Sequence, residues 1–246
     1  MTSPLSPLLD LPDVAEAGDR AREAVDAALR HRALRRQGGQ LAAEVGLRSA
    51  RASAALENHE YGLEALRSGT VTDPVAQGAL RLSAALDGLA PRWTQSPRQV
   101  LARLHVLAAA GSTDADLLGR PDLDADGMAR LDTLLALLTS SKRGAPAWLT
   151  AAVVHGELLA LRPFPGPNGL VARAAARLTM ISGGLDPRGL LAPEVGHLER
   201  QPEYVGCANA FATGTPDGVR AWLKHCATAT ELAAATLTEI GDQLLG

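Results

Sequence analysis

The sequence predicts an all-α fold, a helical bundle preceded by N-terminal helices, and three observations carry that expectation. Apolar residues recur at helical spacing along most of the chain. No stretch alternates apolar and polar residues in the way a half-buried strand does. Aromatic residues make up only 3% of a chain that is 46% hydrophobic. The core therefore has to be assembled from Ala, Leu and Val, which suits closely packed helices better than sheets.

In chain order, residues 1–12 read as a proline-punctuated tail. A helix is expected over 13–36, where Val14, Val25, Ala28 and Leu29 fall at helical spacing, and Gly38 and Gly39 stop it. A second helix covers 40–57, with Asn58 as its C-cap. Apolar periodicity marks another over 74–89. Ser96 and Pro97 supply an N-cap and first-turn pair for a helix that ends near Gly111. Residues 111–123 read as a loop, 124–138 as a helix and 144–146 as a break. A helix over 147–161 leads into 162–167, where three prolines in six residues require a loop. Asn168 or Gly169 opens the next helix, which runs to Ser182 and is closed by Gly183 and Gly184. The last two helices are expected over 203–212 and 217–245, with Pro216 near the start of the second. A length of 246 residues fits one main domain with a helical extension, and no solenoid period is present.

Composition narrows the function classes. A net charge of −3 and a pI near 6.1 give no basic field to attract nucleic acid. Cys207 and Cys226 lie too far apart in sequence for a metal or redox motif, and both read as plain thiols of a reducing compartment. The opening residues have neither a charged leader nor a long apolar run, so no signal peptide is read. No apolar run approaches the roughly 18 residues of a membrane span. The expectation is a cytoplasmic protein without nucleic-acid or membrane partners.

The informative stretch runs from His155 to Arg173: a helix, a rigid Pro/Gly loop, and a helix that begins at Asn168 and Gly169. A helix start offers unpaired N–H groups and the positive end of the helix dipole, which together suit a phosphate. Arg173 and Arg177 lie one turn apart and share a face of that second helix. On these features alone, an anion site and an ordinary proline-stiffened connection between two helices both fit.

The segment resembles the signature of the Fic (Fido) family, His-x-Phe-x-Asp/Glu-Gly-Asn-Gly-Arg-x-x-Arg between two helices. Pro163, Phe164, Asn168, Gly169 and Arg173 match it at the right spacing. The departures fall on the chemistry. Arg162 stands at the position of the catalytic histidine, Gly166 at that of the magnesium-holding acid, Pro167 at a phosphate-cradling glycine and Leu170 at the first arginine. In the family, the histidine accepts the proton of a target hydroxyl that then attacks the α-phosphate of ATP and receives AMP. Arginine stays protonated and cannot do this. Losing a general base typically costs about 10²- to 10⁴-fold in rate. Pro167 also removes an N–H donor.

A second motif strengthens the resemblance. Ser53-Ala-Ala-Leu-Glu57-Asn58 is similar to Ser/Thr-x-x-x-Glu-Gly/Asn, the inhibitory motif of Fic proteins whose regulatory helix precedes the core. The resemblance implies that Glu57 pairs with the second signature arginine, here Arg173, as a partly buried ion pair. It divides the chain into a tail and helix over 1–39, which has no family counterpart, and a Fic-like domain over 40–246 that includes an inhibitory helix at 40–57. Glu203-Tyr204 and Trp222-Leu223 look like the helical pair that closes the domain. The β-hairpin flap that clamps target peptides in active relatives is expected to be trimmed or missing near 112–122.

What the resemblance implies is a Fic-type protein unfit for ordinary AMPylation. Asn168, Gly169 and Arg173 are the anion-binding residues, and Ser53, Glu57 and Asn58 the inhibitory ones. ATP or another nucleotide is the implied ligand; magnesium is doubtful because its acidic position is Gly166. Two alternatives stay open. One is a transferase of altered chemistry in which Arg162 stabilises a transferred phosphoryl or pyrophosphate group and Glu157 acts as base. The other is a helical interaction protein, with a protein partner or as a homodimer, and no small-molecule site.

Other candidates have plainer readings. Asp122, Asp124, Asp126 and Gly127 imitate the start of a calcium loop, but its twelfth position is Thr133, and a polar cap for the next helix accounts for them. Arg30, His31, Arg32, Arg35 and Arg36 read as a solvated helix end. His105, His155, His197 and His225 occur singly, none at metal spacing, and read as structural histidines. Glu157 pairs with Arg162 or faces solvent; spacing does not choose.

Overall fold

The computed structural model describes residues 3–139 and 145–246. Gly144, where the break over 144–146 is expected to begin, lies outside them. Among the described residues the chain forms twelve α-helices: α1 (Val14–Ala28), α2 (Ala33–Arg36), α3 (Gly38–Ala55), α4 (Leu63–Arg67), α5 (Pro74–Trp93), α6 (Pro97–Ala109), α7 (Ala125–Thr139), α8 (Ala147–Leu161), α9 (Asn168–Ser182), α10 (Pro193–Glu199), α11 (Gln201–Ala212) and α12 (Pro216–Leu245). No strand forms among these residues. A single isolated bridge joins Ala110 to Thr113, and a short 3-10 turn follows at Ala115–Leu117, in the stretch where the flap is expected to be trimmed or missing.

The α8–α9 hairpin occupies the middle of the bundle. Every residue of α9 from Asn168 to Met180 is buried, as expected of a helix enclosed by α3, α5, α6 and α8. Leu82, Leu86, Trp93, Leu104, Leu158, Leu170 and Leu178 form the main core. A second cluster joins Val25 and Leu34 to Leu41, Leu237 and Ile240. A third gathers Trp148, Tyr204, Phe211 and Trp222 where α11 and α12 close over α8. The buried indoles are satisfied: Trp93 Nε1 donates to Thr179 Oγ1 at 2.9 Å and Trp222 Nε1 to the Ala152 carbonyl at 2.8 Å. Helices α5 and α6 approach so closely that a Cβ at Gly78 would lie 2.1 Å from the Ala108 carbonyl oxygen. That contact fixes α6, which carries His105.

Three local expectations change and a fourth holds. The proline-punctuated tail is packed: a 3-10 turn (Ser6–Asp10) lays Leu5, Leu8, Leu9 and Leu11 against the third cluster. The helix expected over 13–36 breaks after Ala28, where the His31 ring accepts the Ala33 N–H at 3.3 Å and diverts the backbone from its helical partner. The break lets Ala33 and Leu34 turn into the second cluster. Helices α4 and α10 were not expected; at five and seven residues they are too short to show a period. The calcium-like loop is a helix cap, with Asp124 Oδ1 accepting the Gly127 N–H at 2.8 Å.

Candidate functional site

The site forms where the end of α3 meets the start of α9. Helix α3 closes with Asn58 in the left-handed region (φ 66°). Asn58 N–H donates to Ala55 O at 2.9 Å and His59 N–H to Ala54 O at 3.0 Å. This pair of bonds is a Schellman closure, and Asn is one of the few residues that tolerate its left-handed position. The Asn after Glu57 thus has a backbone reason: it ends the helix so that Glu57 stands at its last turn, facing α9.

The loop between α8 and α9 is held by its own groups. Arg162 ends α8 in the left-handed region (φ 46°), an uncommon conformation for a residue with a Cβ, and its side chain is exposed. The Asn168 side chain accepts the Phe164 N–H at 3.0 Å and donates to the carbonyls of Phe164 and Gly166. The buried Phe164 ring stacks on His105, with centroids 4.4 Å apart and planes 7° apart. His105 Nδ1 accepts the Gly119 N–H at 2.9 Å, so its proton sits on Nε2, which donates to the Pro165 carbonyl at 2.8 Å. Asp122 N–H donates to the Pro163 carbonyl at 2.9 Å, tying the shortened flap region to the same loop.

Arg173, 2% exposed, is the hub. Its Nε donates to Ser53 Oγ at 2.8 Å, Nη2 to Ser53 O and to Glu57 Oε1, both at 2.9 Å, and Nη1 to Tyr204 OH at 3.2 Å. One turn on, Arg177 Nη1 donates to Ser49 Oγ at 2.8 Å and Nη2 to the Gly189 carbonyl at 3.0 Å. Ser49 and Ser53, one turn apart on α3, meet Arg177 and Arg173, one turn apart on α9. Burial opposes the charge on Arg173, but Tyr204 and Glu57 outweigh it and raise its pKa above the ordinary value. Because Tyr204 OH accepts from Arg173, its own proton points to His155 Nε2, 3.0 Å away. Burial first, then Arg173, hold the His155 pKa well below the ordinary value, as a neutral acceptor requires.

The Glu57 carboxylate, with its side chain 25% exposed, lies on the start of α9. A Cβ added at Gly169 would sit 1.9 Å from Glu57 Oε1. Only a glycine lets the carboxylate come this close to the helix end, where the dipole and the unpaired first-turn N–H groups favour an anion. The sequence-derived residues Ser53, Glu57, Asn58, Gly169 and Arg173 therefore converge, and the expected Glu57–Arg173 pair forms.

Other expectations are redirected. The Asn168 side chain is spent on the loop backbone, so it shapes the site instead of reaching into it. Glu157 pairs with Arg130, through Nε–Oε2 at 2.7 Å and Nη2–Oε1 at 3.1 Å, not with Arg162. Leu170 lies in the main core, 1% exposed, and offers no charge. Position 166 does not fit magnesium: glycine supplies no carboxylate, its φ of 89° disfavours other residues, and a Cβ there would lie 2.6 Å from Thr113 Oγ1. Spacing did not reveal Tyr204 and His105 as members of the site, because each comes from a distant element.

His105 makes the loop sensitive to acid. Burial lowers its pKa from 6.5, against a smaller opposing effect of the Pro165 carbonyl. A depressed folded pKa means that the unfolded chain takes up the proton first as pH falls through 6.5. Stability contributed by neutral His105 is thus complete above that pH and declines below it, by at most about 1.4 kcal/mol per pH unit, until the folded group also titrates. Urea midpoints measured from pH 7.5 down to 5 should fall less steeply for His105→Gln than for wild type. Equal slopes would remove His105 from the acid response.

No protein-family model and no curated protein sequence matches the chain. Solved structures do. The chain is similar to a Fic family protein from Desulfovibrio desulfuricans G20, with a TM-score of 0.72 and 21% identity over 93% of this chain and 74% of that one. It is also similar to Fic-1 from C. elegans, with a TM-score of 0.68 and 18% identity over 97% of this chain and 76% of that one. The fold is therefore that of Fic proteins. Residues 40–246 alone cannot supply a coverage of 97%, so the likeness extends into residues 1–39, for which no counterpart was expected.

Proposed function

We propose that this chain is a Fic-type regulatory protein that binds the phosphates of a nucleotide at the start of α9 when Glu57 is withdrawn, and that does not perform ordinary AMPylation. One observation carries the reading: the Glu57 carboxylate rests on Gly169 and bonds to Arg173, at a helix end suited to an anion. A carboxylate held there competes with phosphate for the same charge. Arg162 at the histidine position supports the loss of transfer chemistry, since a guanidinium cannot accept the target hydroxyl's proton. The altered-transferase reading loses support because its base, Glu157, is engaged by Arg130. No helix among the described residues is long and apolar enough to cross a membrane. A nucleotide ligand and two free cysteines fit a cytoplasmic setting, with a protein partner that senses whether Glu57 is seated.

Calorimetric titration of ATP, ADP and GTP tests the binding half. Glu57→Gly is expected to bind at least one nucleotide about tenfold or more tighter than wild type, a gain of about 1.4 kcal/mol. Adding Gly169→Ala to that variant should abolish the gain, because the new methyl group fills the anion position. Absence of binding in both wild type and Glu57→Gly removes the nucleotide reading. The chemical half predicts no AMP-sized mass increase on any protein when Glu57→Gly is incubated with ATP and a cell lysate. Such an increase, lost in Arg162→Ala, would restore the transferase reading.

A further inference from the structure

We propose that Glu203, Cys207 and His225 form a binding site for a divalent ion of the zinc type, clamping α11 to α12. Glu203 and Cys207 are four residues apart on α11 and share a face, and His225 meets them from α12. Their candidate ligand atoms all lie within 4.8 Å of one another, and His225 Nδ1 is 2.9 Å from Glu203 Oε1. Metal–ligand bonds of about 2.0–2.3 Å in a tetrahedron separate neighbouring ligands by roughly 3.3–3.8 Å. Atoms already within 4.8 Å of one another need to approach by only about 1 Å to reach that spacing.

The donor set selects the ion. A thiolate sulfur, an imidazole nitrogen and one carboxylate oxygen suit zinc or cobalt(II), not calcium or magnesium, which take oxygen ligands. The Glu203 side chain is 39% exposed, which leaves an entry path and a fourth position for water.

The surrounding groups are those that orient metal ligands. His225 is buried, and its Nε2 is 3.0 Å from Nδ1 of the buried His197. Glu203 Oε2 is held by Arg200, which leaves Oε1 for the ion. A ligating imidazole is usually held through its other ring nitrogen in this way. Without metal, the Glu203 carboxylate only accepts, so His225 carries its proton on Nδ1 and accepts from His197 at Nε2. With metal, His225 and His197 both shift to the Nε2–H tautomer, which frees His225 Nδ1 to coordinate. The Cys207 thiol gives one proton to solvent as its Sγ–metal bond forms, with no change of oxidation state.

The spacing of the two cysteines concealed this site, because Cys226 is not part of it and the partner of Cys207 is a glutamate one turn earlier. The ion would also brace Tyr204, the neighbour of Glu203, against Arg173.

Cobalt(II) titration of the full chain tests the proposal. Wild type should bind one equivalent, with visible bands of a low-coordinate ion and a near-ultraviolet thiolate-to-cobalt band, and zinc should displace the cobalt. Cys207→Ser, at a partly exposed position, should remove the near-ultraviolet band. Its affinity should fall by more than the ~10- to 100-fold that losing a merely orienting partner costs. Glu203→Gln should weaken binding and keep the band, and Cys226→Ser should leave both unchanged. Zinc should raise the melting temperature of wild type but not of Cys207→Ser. A thiolate band that survives in Cys207→Ser, or no stoichiometric binding of either ion to wild type, overturns the site.

Discussion

Arg173→Ala should lower stability by about 3–5 kcal/mol, the usual cost of removing one partner from a buried ion pair. The guanidinium gathers four oxygens from two separate parts of the chain: Ser53 Oγ and carbonyl and Glu57 Oε1 at the end of α3, and Tyr204 OH on α11. Alanine leaves those groups facing a cavity at the centre of the bundle. The carboxylate is the least affected, since it is partly exposed and water can reach it. Tyr204→Phe removes two bonds, the long one from Arg173 and the one to His155 Nε2, and should cost about 1–3 kcal/mol, as for two typical hydrogen bonds. Urea denaturation ranks the two, with midpoints shifted and slopes unchanged if folding stays two-state. An Arg173→Ala midpoint no lower than that of Tyr204→Phe would show that the network contributes little and that packing alone holds α3 on α9.

Much of this site was legible because two short motifs demanded one contact. Ser53 and Glu57 lie a turn apart on α3, Arg173 lies five residues into α9, and each segment is meaningful only if the other faces it. Helical periodicity likewise gave most of the long helices to within a few residues. What spacing did not give were partners chosen by loop conformation or by tertiary packing. Asn168 reads as an anion ligand at a helix start, yet the loop backbone of Phe164 and Gly166 takes its amide. Glu157 reads as a neighbour of Arg162, yet α7 brings Arg130 to it. His105 has no sequence neighbour of note and acts only because α6 packs tightly against α5 at Gly78. Short elements such as α4 and α10 carry no period and owe their form to the surfaces they cover. Local chemistry was readable where a second motif named the partner, and unreadable where the loop conformation or the fold chose it.

Phe164→Ala should be the most damaging change within the loop, costing about 3–5 kcal/mol, as for truncation of a buried aromatic side chain. The ring is 4% exposed, belongs to the main core and stacks on His105. Its backbone is tied as well, because Asn168 takes both its N–H and its carbonyl. Truncation removes the ring that positions those bonds and leaves His105 without its stacking partner. Phe164→Leu keeps most of the apolar volume and should cost less than about 1.5 kcal/mol, in the range of conservative core swaps. The pair separates packing from shape when each change is combined with Glu57→Gly. Leucine should preserve nucleotide binding because Asn168 can still set the loop. Alanine, assayed below its unfolding midpoint, should lose binding because the start of α9 is no longer fixed against α8. Nucleotide bound equally well by the folded alanine variant would mean that α9 alone forms the anion site and that the Pro/Gly loop is only a connection.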